Sequence, residues 1–391
     1  MEKLISNDYR LKTHVIGIDA SRAFLKRRTG IEEYAYQVIK HLRDELPSDA
    51  EVVLYVRKKL SFAHGRMYLR VPEIDFELPK NWRVRAIWAP RFWTQIGLSL
   101  EMLLHTPDVL FVPAHTVPLI HPKKTVVTIH GLEYEFCPEG YSFWERVYMH
   151  YSIMLSCRVA SMVICVSENT KKDVMKLYEV PAEKIRVVYE GYESNFQFPI
   201  SNFQTNSNNQ IPKIKKPYLL FIGRLEERKN VVRMIEAFGL LKERYQIPHE
   251  LVLVGKPGHG YRRIQNSIQH SIFNIHIREL GYVDEAKKWE LLKQADVFLF
   301  PTLYEGFGIP VLEAQSVGVP VVTSNTSSLP EVAGQGAMFV DPESVESIAE
   351  GISAVLSNQE LRSGIIERAT INVGRFGWAS CASNIAILMR P

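Results

Sequence analysis

Short apolar runs alternate along the chain with longer segments in which apolar residues recur every three to four positions. The longer segments predict amphipathic helices, and residues 31–46 give the clearest example. The apolar face of that helix is formed by Ile31, Tyr34, Val38, Ile39 and Leu42. The short runs predict buried strands, namely HVIGIDA, EVVLYV, RVRAIW, DVLFVPA, TVVTIHG, MVICVS and IRVVYEG in the first half and YLLFIG, ELVLVG, IHIRELG, VFLFPT, VPVVTSN and AMFVDP in the second. Strands that alternate with helices are typical of parallel sheets covered by helices.

A polar segment separates the two series of strands. Residues 199–217 are rich in Asn, Ser, Pro and Lys and have no clear periodicity, which favours an exposed linker. We therefore predict an α/β protein with two Rossmann-like, doubly wound domains at residues 1–200 and 201–376, followed by a helical segment at residues 377–391. Ligands bind at the carboxyl ends of the strands in such folds, so we expect a site in the cleft between the domains.

Composition excludes several classes of protein. With 391 residues, 46% of them hydrophobic, the chain is long enough for two separate cores, and a net charge of +4 gives no indication of nucleic-acid binding. The four cysteines lack the short paired spacing of metal or redox sites, which favours reduced structural thiols. No signal pattern opens the sequence and no apolar stretch of about 18 residues is present, so we expect a cytoplasmic protein.

Two acids and a glycine-flanked aromatic residue follow the predicted strand VFLFPT. Glu305 lies in the loop after this strand, and Glu313 is expected about two turns into a helix that begins near Phe307. Gly306 and Gly308 allow close approach of the backbone to a ligand. A carboxylate accepts hydrogen bonds from adjacent sugar hydroxyls, and a helix N-terminus favours a phosphate. Hydroxyls and phosphate together indicate a nucleotide sugar.

Two cations lie in the loop that follows the first strand of the second half. In the sequence GRLEERKN, Gly223 is followed by Arg224, and Lys229 comes just before a predicted helix. Cations beside a helix N-terminus suit a diphosphate, because charge pairing adds to the helix dipole. In the alternative interpretation the loop is solvated and its other charged residues, among them Arg228, are ordinary surface residues.

These motifs resemble the signature of family 4 of the glycosyltransferases, retaining enzymes with the GT-B fold. The resemblance implies that Glu305 lies by the transferred sugar and that Glu313 binds the ribose of the nucleotide. It also implies that Arg224 and Lys229 bind the leaving diphosphate, and that the helix in residues 377–391 packs back on the N-terminal domain. The sequence has no Asp-x-Asp pair near a strand end, so we expect no metal ion at the diphosphate.

The resemblance extends to the first half. His130 ends the strand TVVTIHG at the position of a family histidine near the transferred sugar, although a purely structural role is the alternative. The Asp that usually follows is Gly131 here. The segment that begins at Ser167 is also typical of the family, and we expect Ser167 to cap a helix that ends before Pro181.

The loop after the first strand offers Gly30 where many family members have a glycine pair that contacts the phosphate or the acceptor. Gly30 is preceded by three basic residues, Lys26, Arg27 and Arg28. These residues either guide an anionic acceptor to the site or are simply solvated.

An aromatic and basic stretch in the first half has two interpretations. Its tryptophans either pack inward or rest on lipid headgroups, and we favour the core: Trp82, Trp88 and Trp93.

The sequence therefore predicts a retaining hexosyltransferase of the mannose or glucose type. The donor is a GDP- or UDP-linked sugar, which is a substrate and not a resident cofactor, and the acceptor is a hydroxyl of a glycan or lipid-linked saccharide. Peripheral contact with the inner face of the membrane stays open as a further expectation. The string TGIEEY resembles bacterial mannosyltransferase-like members that build surface polysaccharides.

Three alternatives stay open at this point. A catalytically silent GT-B binding protein would lack one of the four charged residues of the two motifs, and all four are present. A nicotinamide dehydrogenase requires a glycine fingerprint that no predicted strand here leads into. A sugar-nucleotide epimerase on a related fold is the third alternative.

Overall fold

The first half of the chain forms a parallel sheet of strands in the order β5-β2-β1-β6-β7-β8-β9. The computed structural model describes residues 14–25, 28–63, 66–89, 92–192 and 217–390. The strands of this sheet are β1 (Val15–Asp19), β2 (Glu51–Arg57), β5 (Trp82–Ile87), β6 (Val109–Val112), β7 (Lys124–Ile129), β8 (Met162–Cys165) and β9 (Ile185–Val187). Each corresponds to a run predicted above. An antiparallel pair that the apolar pattern did not indicate, β3 (Lys59–Ala63) and β4 (Arg66–Arg70), lies between β2 and β5 in the sequence.

Helices cover both faces of this sheet. They are α1 (Gly30–Glu45), α2 (Ser99–Leu104), which continues a π-helical turn at Trp93–Leu98, α3 (Glu133–Phe136), α4 (Phe143–Val159) and α5 (Glu168–Tyr178). Helix α1 buries the predicted face, although its first member, Ile31, is only partly covered. As expected, Ser167 caps α5 by accepting a hydrogen bond from the backbone NH of Thr170.

The second half forms a parallel sheet in the order β12-β11-β10-β13-β14-β15. Its strands are β10 (Tyr218–Ile222), β11 (Glu250–Val254), β12 (Ile277–Gly281), β13 (Val297–Phe300), β14 (Val321–Ser324) and β15 (Met338–Val340), all of which were predicted. Its helices are α6 (Val231–Arg244), α7 (Tyr261–His270), α8 (Glu285–Gln294), α9 (Ile309–Ser316), α10 (Leu329–Ala333), α11 (Val345–Ser357), α12 (Gln359–Val373) and α13 (Trp378–Met389).

Strand order reverses at β10, which pairs with β11 on one side and with β13 on the other. The loops after β10 and β13 therefore leave the same edge of the sheet next to each other. A crevice at such a reversal is where open α/β sheets bind ligands. The fold brings together at this point the two loops that carry the predicted chemical residues.

Helix α13 leaves the second half and packs against α1 of the first. The Trp378 ring lies 6.0 Å from that of Tyr34, and Gly191 sits directly against the Trp378 backbone. Phe307 belongs to the same apolar cluster, so one core connects the two halves beneath the loops. The domain limits given above stay a prediction, since residues 193–216 lie outside the described residues.

The tryptophans of the aromatic stretch separate into two groups. Trp82 and Trp93 are buried, as the core interpretation requires, whereas Trp88 is 56% exposed. The four cysteines are free and buried, in agreement with reduced structural thiols. In the parts of the chain that the structure describes, no helix combines the length and the apolar character needed to cross a membrane.

The contact between Gly191 and α13 generates a prediction on stability. A Cβ atom at Gly191 would lie 2.4 Å from the Trp378 backbone nitrogen, so Gly191→Ala should force the helix away and lower the free energy of unfolding by about 1–3 kcal/mol. At Gly239, inside α6, a Cβ atom would meet nothing within 4 Å. Gly239→Ala should therefore raise stability by about 0.5–1 kcal/mol. Denaturant unfolding of both variants checks the pair, and equal effects would contradict it.

Candidate active site

Glu305 lies at the centre of a buried cluster of charges where the strand order reverses. Glu305 is only 8% exposed to solvent. Lys229 Nζ donates to Glu305 Oε1 at 2.6 Å, and Arg228 Nη1 lies 3.1 Å from Glu305 Oε2. Both cations come from the loop after β10, and the carboxylate comes from the loop after β13. The ion pairs therefore join the two loops, and removal of one partner would leave a buried charge uncompensated.

The electrostatics of this cluster keep Glu305 ionised. Burial alone would raise the pKa of Glu305, but the charges of Arg228 and Lys229 outweigh it and hold that pKa below its ordinary value. Burial and then the like charge of Arg228 lower the pKa of Lys229. The carboxylate thus presents fixed negative charge, whereas the lysine loses its proton more readily than a lysine in water.

The backbone around Glu305 is fixed by the segment after β14. Glu305 NH donates to Ser327 Oγ at 3.1 Å, and Ser328 Oγ lies within 2.9 Å of the carbonyl oxygens of Glu305 and Phe307. From the other side, Asn230 Nδ2 donates to the carbonyl of Pro301 at 2.9 Å. Ser327 adopts a left-handed backbone conformation (φ 53°) to reach its position. The loop that carries Glu305 is therefore held at both ends.

Arg228 belongs to the buried cluster, whereas Arg224 lies exposed beside it. Arg228, interpreted as a surface charge, also donates to the Tyr304 carbonyl at 2.7 Å and pairs with Glu226 at 2.9 Å. Arg224 is exposed and lines a cavity of about 970 Å³. Within the described residues no hydrogen bond or ion pair occupies its guanidinium. The position of Arg228 next to Lys229 was the one signal that could have identified it.

Glu313 occupies a separate ion pair. Helix α9 begins at Ile309, so Glu313 lies about one turn into it, and the expected start near Phe307 is wrong by two residues. Lys288 of α8 donates to Glu313 Oε1 at 2.8 Å and also pairs with Glu285. Burial raises the pKa of Glu313 despite the lysine. The two acids of the motif are thus neutralised by different cations.

The aromatic residue of the motif points into the core. The Phe307 ring is buried and packs against Tyr189 and Phe376, with ring centroids 6.2 and 5.6 Å apart. Its side chain therefore anchors the loop and is not exposed to a ligand. Gly308 adopts a positive φ of 121° just before α9, where a Cβ atom would also press on Leu329. This glycine allows the abrupt start of the helix.

His130 is held tightly by the protein. Its Nδ1 lies 3.0 Å from Glu190 Oε1, and its Nε2 lies 2.9 Å from the carbonyl oxygen of Pro113. The ring also meets Tyr34 edge to face at 4.5 Å. Both ring nitrogens face oxygen acceptors of the first half, and these contacts fix the orientation of the ring. Its partner Glu190, in the string YEG, was not identified from the sequence.

The His130 backbone lies in direct contact with the second half. A Cβ atom at Gly306 would lie 1.6 Å from the His130 carbonyl oxygen, and Gly131 packs against Gly306 as well. The Gly306 carbonyl accepts hydrogen bonds from Ser167 Oγ at 2.8 Å and from Thr170 Oγ1 at 3.3 Å. Glycine at position 306 is therefore required by contact with protein at this point.

A second contact between the halves involves Glu331 of α10. Its carboxylate accepts hydrogen bonds from the backbone NH groups of Glu168 and Asn169, at 2.8 Å for the shortest. These groups open α5, so a negative charge from the second half lies at a helix N-terminus of the first, where it is stabilising. The string Ser-Leu-Pro-Glu thus serves both the loop of Glu305 and the contact between the halves.

The remaining predicted residues lie apart from this cluster. Gly30 is the exposed first residue of α1, and a Cβ atom there would meet nothing within 4 Å. Arg28 pairs with Glu33 at 2.8 Å and covers the Tyr36 ring, so it is held against α1. The other two basic residues of this loop lie outside the described residues: Lys26 and Arg27.

The backbone of Gly223 is in close contact with Gly255 of the neighbouring loop. A Cβ atom at Gly255, which follows β11 with φ 153°, would lie 1.7 Å from the Gly223 carbonyl oxygen. The loops after β10 and β11 therefore run in direct backbone contact beside Arg224.

Comparison with known proteins identifies the family of the chain. Residues 28–196 match the model of Glycosyltransferase Family 4, and residues 202–371 match that of Glycosyl transferases group 1. The chain is 31% identical over 268 residues to the O-antigen chain mannosyltransferase B of Escherichia coli. This match covers 67% of this chain and 68% of the relative.

Solved structures share the fold across nearly the whole chain. Sucrose-phosphate synthase from Thermosynechococcus elongatus superimposes with a TM-score of 0.70 at 17% identity, covering 96% of this chain and 98% of the other. The Anabaena protein HepE, in complex with UDP and glucose, has a TM-score of 0.65 at 17% identity and covers 96% and 98% of the two chains. Together with the matched families, these findings show that the chain belongs to family 4 of the glycosyltransferases and has the GT-B fold.

Proposed function

We propose that this protein transfers a hexose, most simply mannose, from a nucleoside diphosphate sugar to a hydroxyl of a glycan or lipid-linked acceptor, with retention of configuration. The observation that carries the proposal is the buried cluster of Glu305, Arg228 and Lys229 with the exposed Arg224 beside it. The name of the Escherichia coli relative supports mannose, and the UDP complex of HepE supports a nucleotide-sugar donor. GDP and UDP both stay candidates for the nucleotide.

In this proposal each charged residue has one task. Arg224 and Lys229 bind the diphosphate, Glu313 accepts hydrogen bonds from the ribose hydroxyls, and Glu305 accepts them from the transferred sugar. His130 orders the loop that faces the sugar through its bonds to Glu190 and Pro113. The backbone at Gly223, Gly306 and Gly308 shapes the wall of the donor site, and Gly30 opens the acceptor side.

The proposed reaction needs no nucleophile from the protein. The bond between the anomeric carbon and the phosphate oxygen breaks while the acceptor oxygen bonds to the same face of that carbon. The acceptor proton passes to an oxygen of the departing phosphate, and the negative charge of the leaving diphosphate is stabilised by Arg224 and Lys229. These cations perform the electrostatic task that a divalent ion performs elsewhere, so we expect no metal requirement.

The first prediction on function tests the reaction itself. GDP-mannose, UDP-glucose and ADP-glucose are screened by thermal shift, and the sugar that raises the melting temperature is then used as donor with EDTA present. NMR of the product should show the anomeric configuration of the donor. An inverted linkage would contradict the mechanism, loss of activity in EDTA that manganese restores would contradict the role of the cations, and binding without turnover would favour a silent binding protein.

The second prediction separates transition-state stabilisation from anchoring. Arg224→Ala and Lys229→Ala should each lower kcat at saturating donor by about ten- to a hundredfold, because a hydrogen bond to a charged group contributes about 1.5–3 kcal/mol. Arg224→Lys should recover only part of the loss, since it keeps the charge without the planar fork. Arg244→Ala, at the far end of α6, is the matched control. Unchanged kcat with a raised donor KM would assign the pair to anchoring alone.

Peripheral contact with the inner face of the membrane is the remaining part of the proposal. It is supported by exposed apolar side chains on α2, on α4, on the residue before the π-helical turn and on the segment between β6 and β7, which we together call the apolar surface. The most exposed members of this apolar surface are Phe92, Leu103, Leu104, Leu119, Phe143 and Trp144. The segment bridges the two helices, since Ile120 NH donates to Ser99 of α2 and Val117 NH donates to Ser156 of α4. Exposed Trp, Phe and Leu side chains suit the boundary between headgroups and acyl chains.

The third prediction concerns this apolar surface. The double variant Leu103→Glu, Leu104→Glu should lose co-sedimentation with anionic phospholipid vesicles by at least about fivefold, because it places charge in the apolar boundary. The matched control is Ile272→Glu with Ile275→Glu, an exposed apolar pair of the second half. Equal binding by both double variants, or no binding by the unmodified protein, would contradict the membrane contact.

A further inference from the structure

A cavity of about 970 Å³ opens next to the cluster of Glu305, on the side of Arg224. Its walls come from both halves. The first half supplies α3, the turn after it and α5, and the second half supplies α6, α7 and the loops after β10, β11, β13, β14 and β15. A volume of this size accommodates a ligand larger than one hexose. Apart from Arg224, the residues of the proposed donor site do not line it.

Two stacked aromatic rings, which we call the aromatic plate, form part of the cavity wall. The Phe136 ring stacks on Tyr304, with centroids 4.7 Å apart and planes inclined by 9°. Phe136 is nevertheless 44% exposed, so the ring face away from Tyr304 is open. Tyr304 is itself fixed, since its hydroxyl donates to Asp173 at 2.7 Å and accepts from Leu132 NH at 3.3 Å. The open face of Phe136 is thus a rigid apolar surface.

This plate is tied directly to the charge cluster. Tyr304 immediately precedes Glu305 in the chain, and its carbonyl oxygen accepts a hydrogen bond from Arg228. The same Arg228 pairs with the Glu305 carboxylate at 3.1 Å. A ligand that rests on Phe136 would therefore lie beside the residue proposed to hold the transferred sugar.

The charges of the cavity favour a neutral ligand with many hydroxyls. Seven carboxylate side chains and four arginines line it, which gives a net charge of −3. One of the arginines, Arg228, is already paired with Glu226 and Glu305. Carboxylates accept hydrogen bonds from hydroxyls and repel phosphates, whereas an aromatic face packs against the C–H face of a pyranose ring.

We propose that this cavity is the acceptor subsite and that Phe136 is a specificity-determining residue, on which a neutral pyranose ring of a glycan acceptor stacks. The inference rests on the proposed transfer reaction and names its second substrate by class. Arg224, on the shared wall, then faces the diphosphate of the donor, and the acceptor hydroxyl approaches the sugar from the Phe136 side.

The test compares acceptors and variants. Methyl α-D-mannopyranoside and its 6-phosphate are used as acceptors with the unmodified protein, Phe136→Ala, Phe136→Trp and the control Tyr245→Ala, an exposed aromatic residue outside the cavity. Phe136→Ala should raise the KM for the neutral acceptor about three- to tenfold with kcat and the donor Kd unchanged. Phe136→Trp should retain the unmodified KM within about threefold, and the control should match the unmodified protein. Melting temperatures within a few degrees of the unmodified protein confirm that the variants are folded.

The outcomes distinguish the inference from the reaction on which it depends. Unchanged acceptor KM in Phe136→Ala, or a lower KM for the 6-phosphate than for the neutral sugar, overturns the inference while the transferase stands. Donor hydrolysis by the unmodified protein without transfer to either acceptor also overturns the inference alone. Absence of both hydrolysis and transfer with every donor overturns the proposed function, and the inference with it.

Discussion

The arrangement of the site depends on one buried carboxylate that is shared by two cations. Glu305 joins the loop after β13 to Arg228 and Lys229 in the loop after β10. Burying three charges costs several kcal/mol per ion, and attraction offsets this cost only when the geometry is good and the remaining polar atoms are bonded. The bonds of Arg228 to the Tyr304 carbonyl and to Glu226 meet that condition, and Ser327 and Ser328 hold the backbone of Glu305. The cluster therefore gives the crevice a definite shape, at a place where a sheet alone would leave two loops free.

The fold was readable because buried parallel strands and amphipathic helices have distinct periods. Every predicted strand is present. Glu305 and Lys229 form an ion pair where the sheet order reverses, and Glu313 forms a separate ion pair with Lys288. The hairpin of β3 and β4 was not predicted, since its short strands carry basic residues at their ends and no long apolar run. The start of α9 was placed two residues early, because Phe307 reads as a helical position while its ring in fact anchors the loop.

The partners of the site residues were harder to predict than the residues themselves. Arg228 looks like any surface charge in a polar loop, and only the position of Glu305 more than seventy residues later in the chain shows why it is buried. Glu190 and His130 likewise meet through the order of β7, β8 and β9, which local periodicity does not encode. Pairings across a sheet depend on the topology, and the sequence pattern fixes the strands but not the contacts between their loops.

Helix α10 has a consequence for how the two halves move. Its five residues follow directly on Ser327 and Ser328, which hold the Glu305 backbone, and they include Glu331, whose carboxylate rests on the first turn of α5 in the other half. Rotation of one half against the other must therefore either detach Glu331 from α5 or pull on the peptide that positions Glu305. The short helix therefore couples the opening of the cleft to the position of the Glu305 backbone.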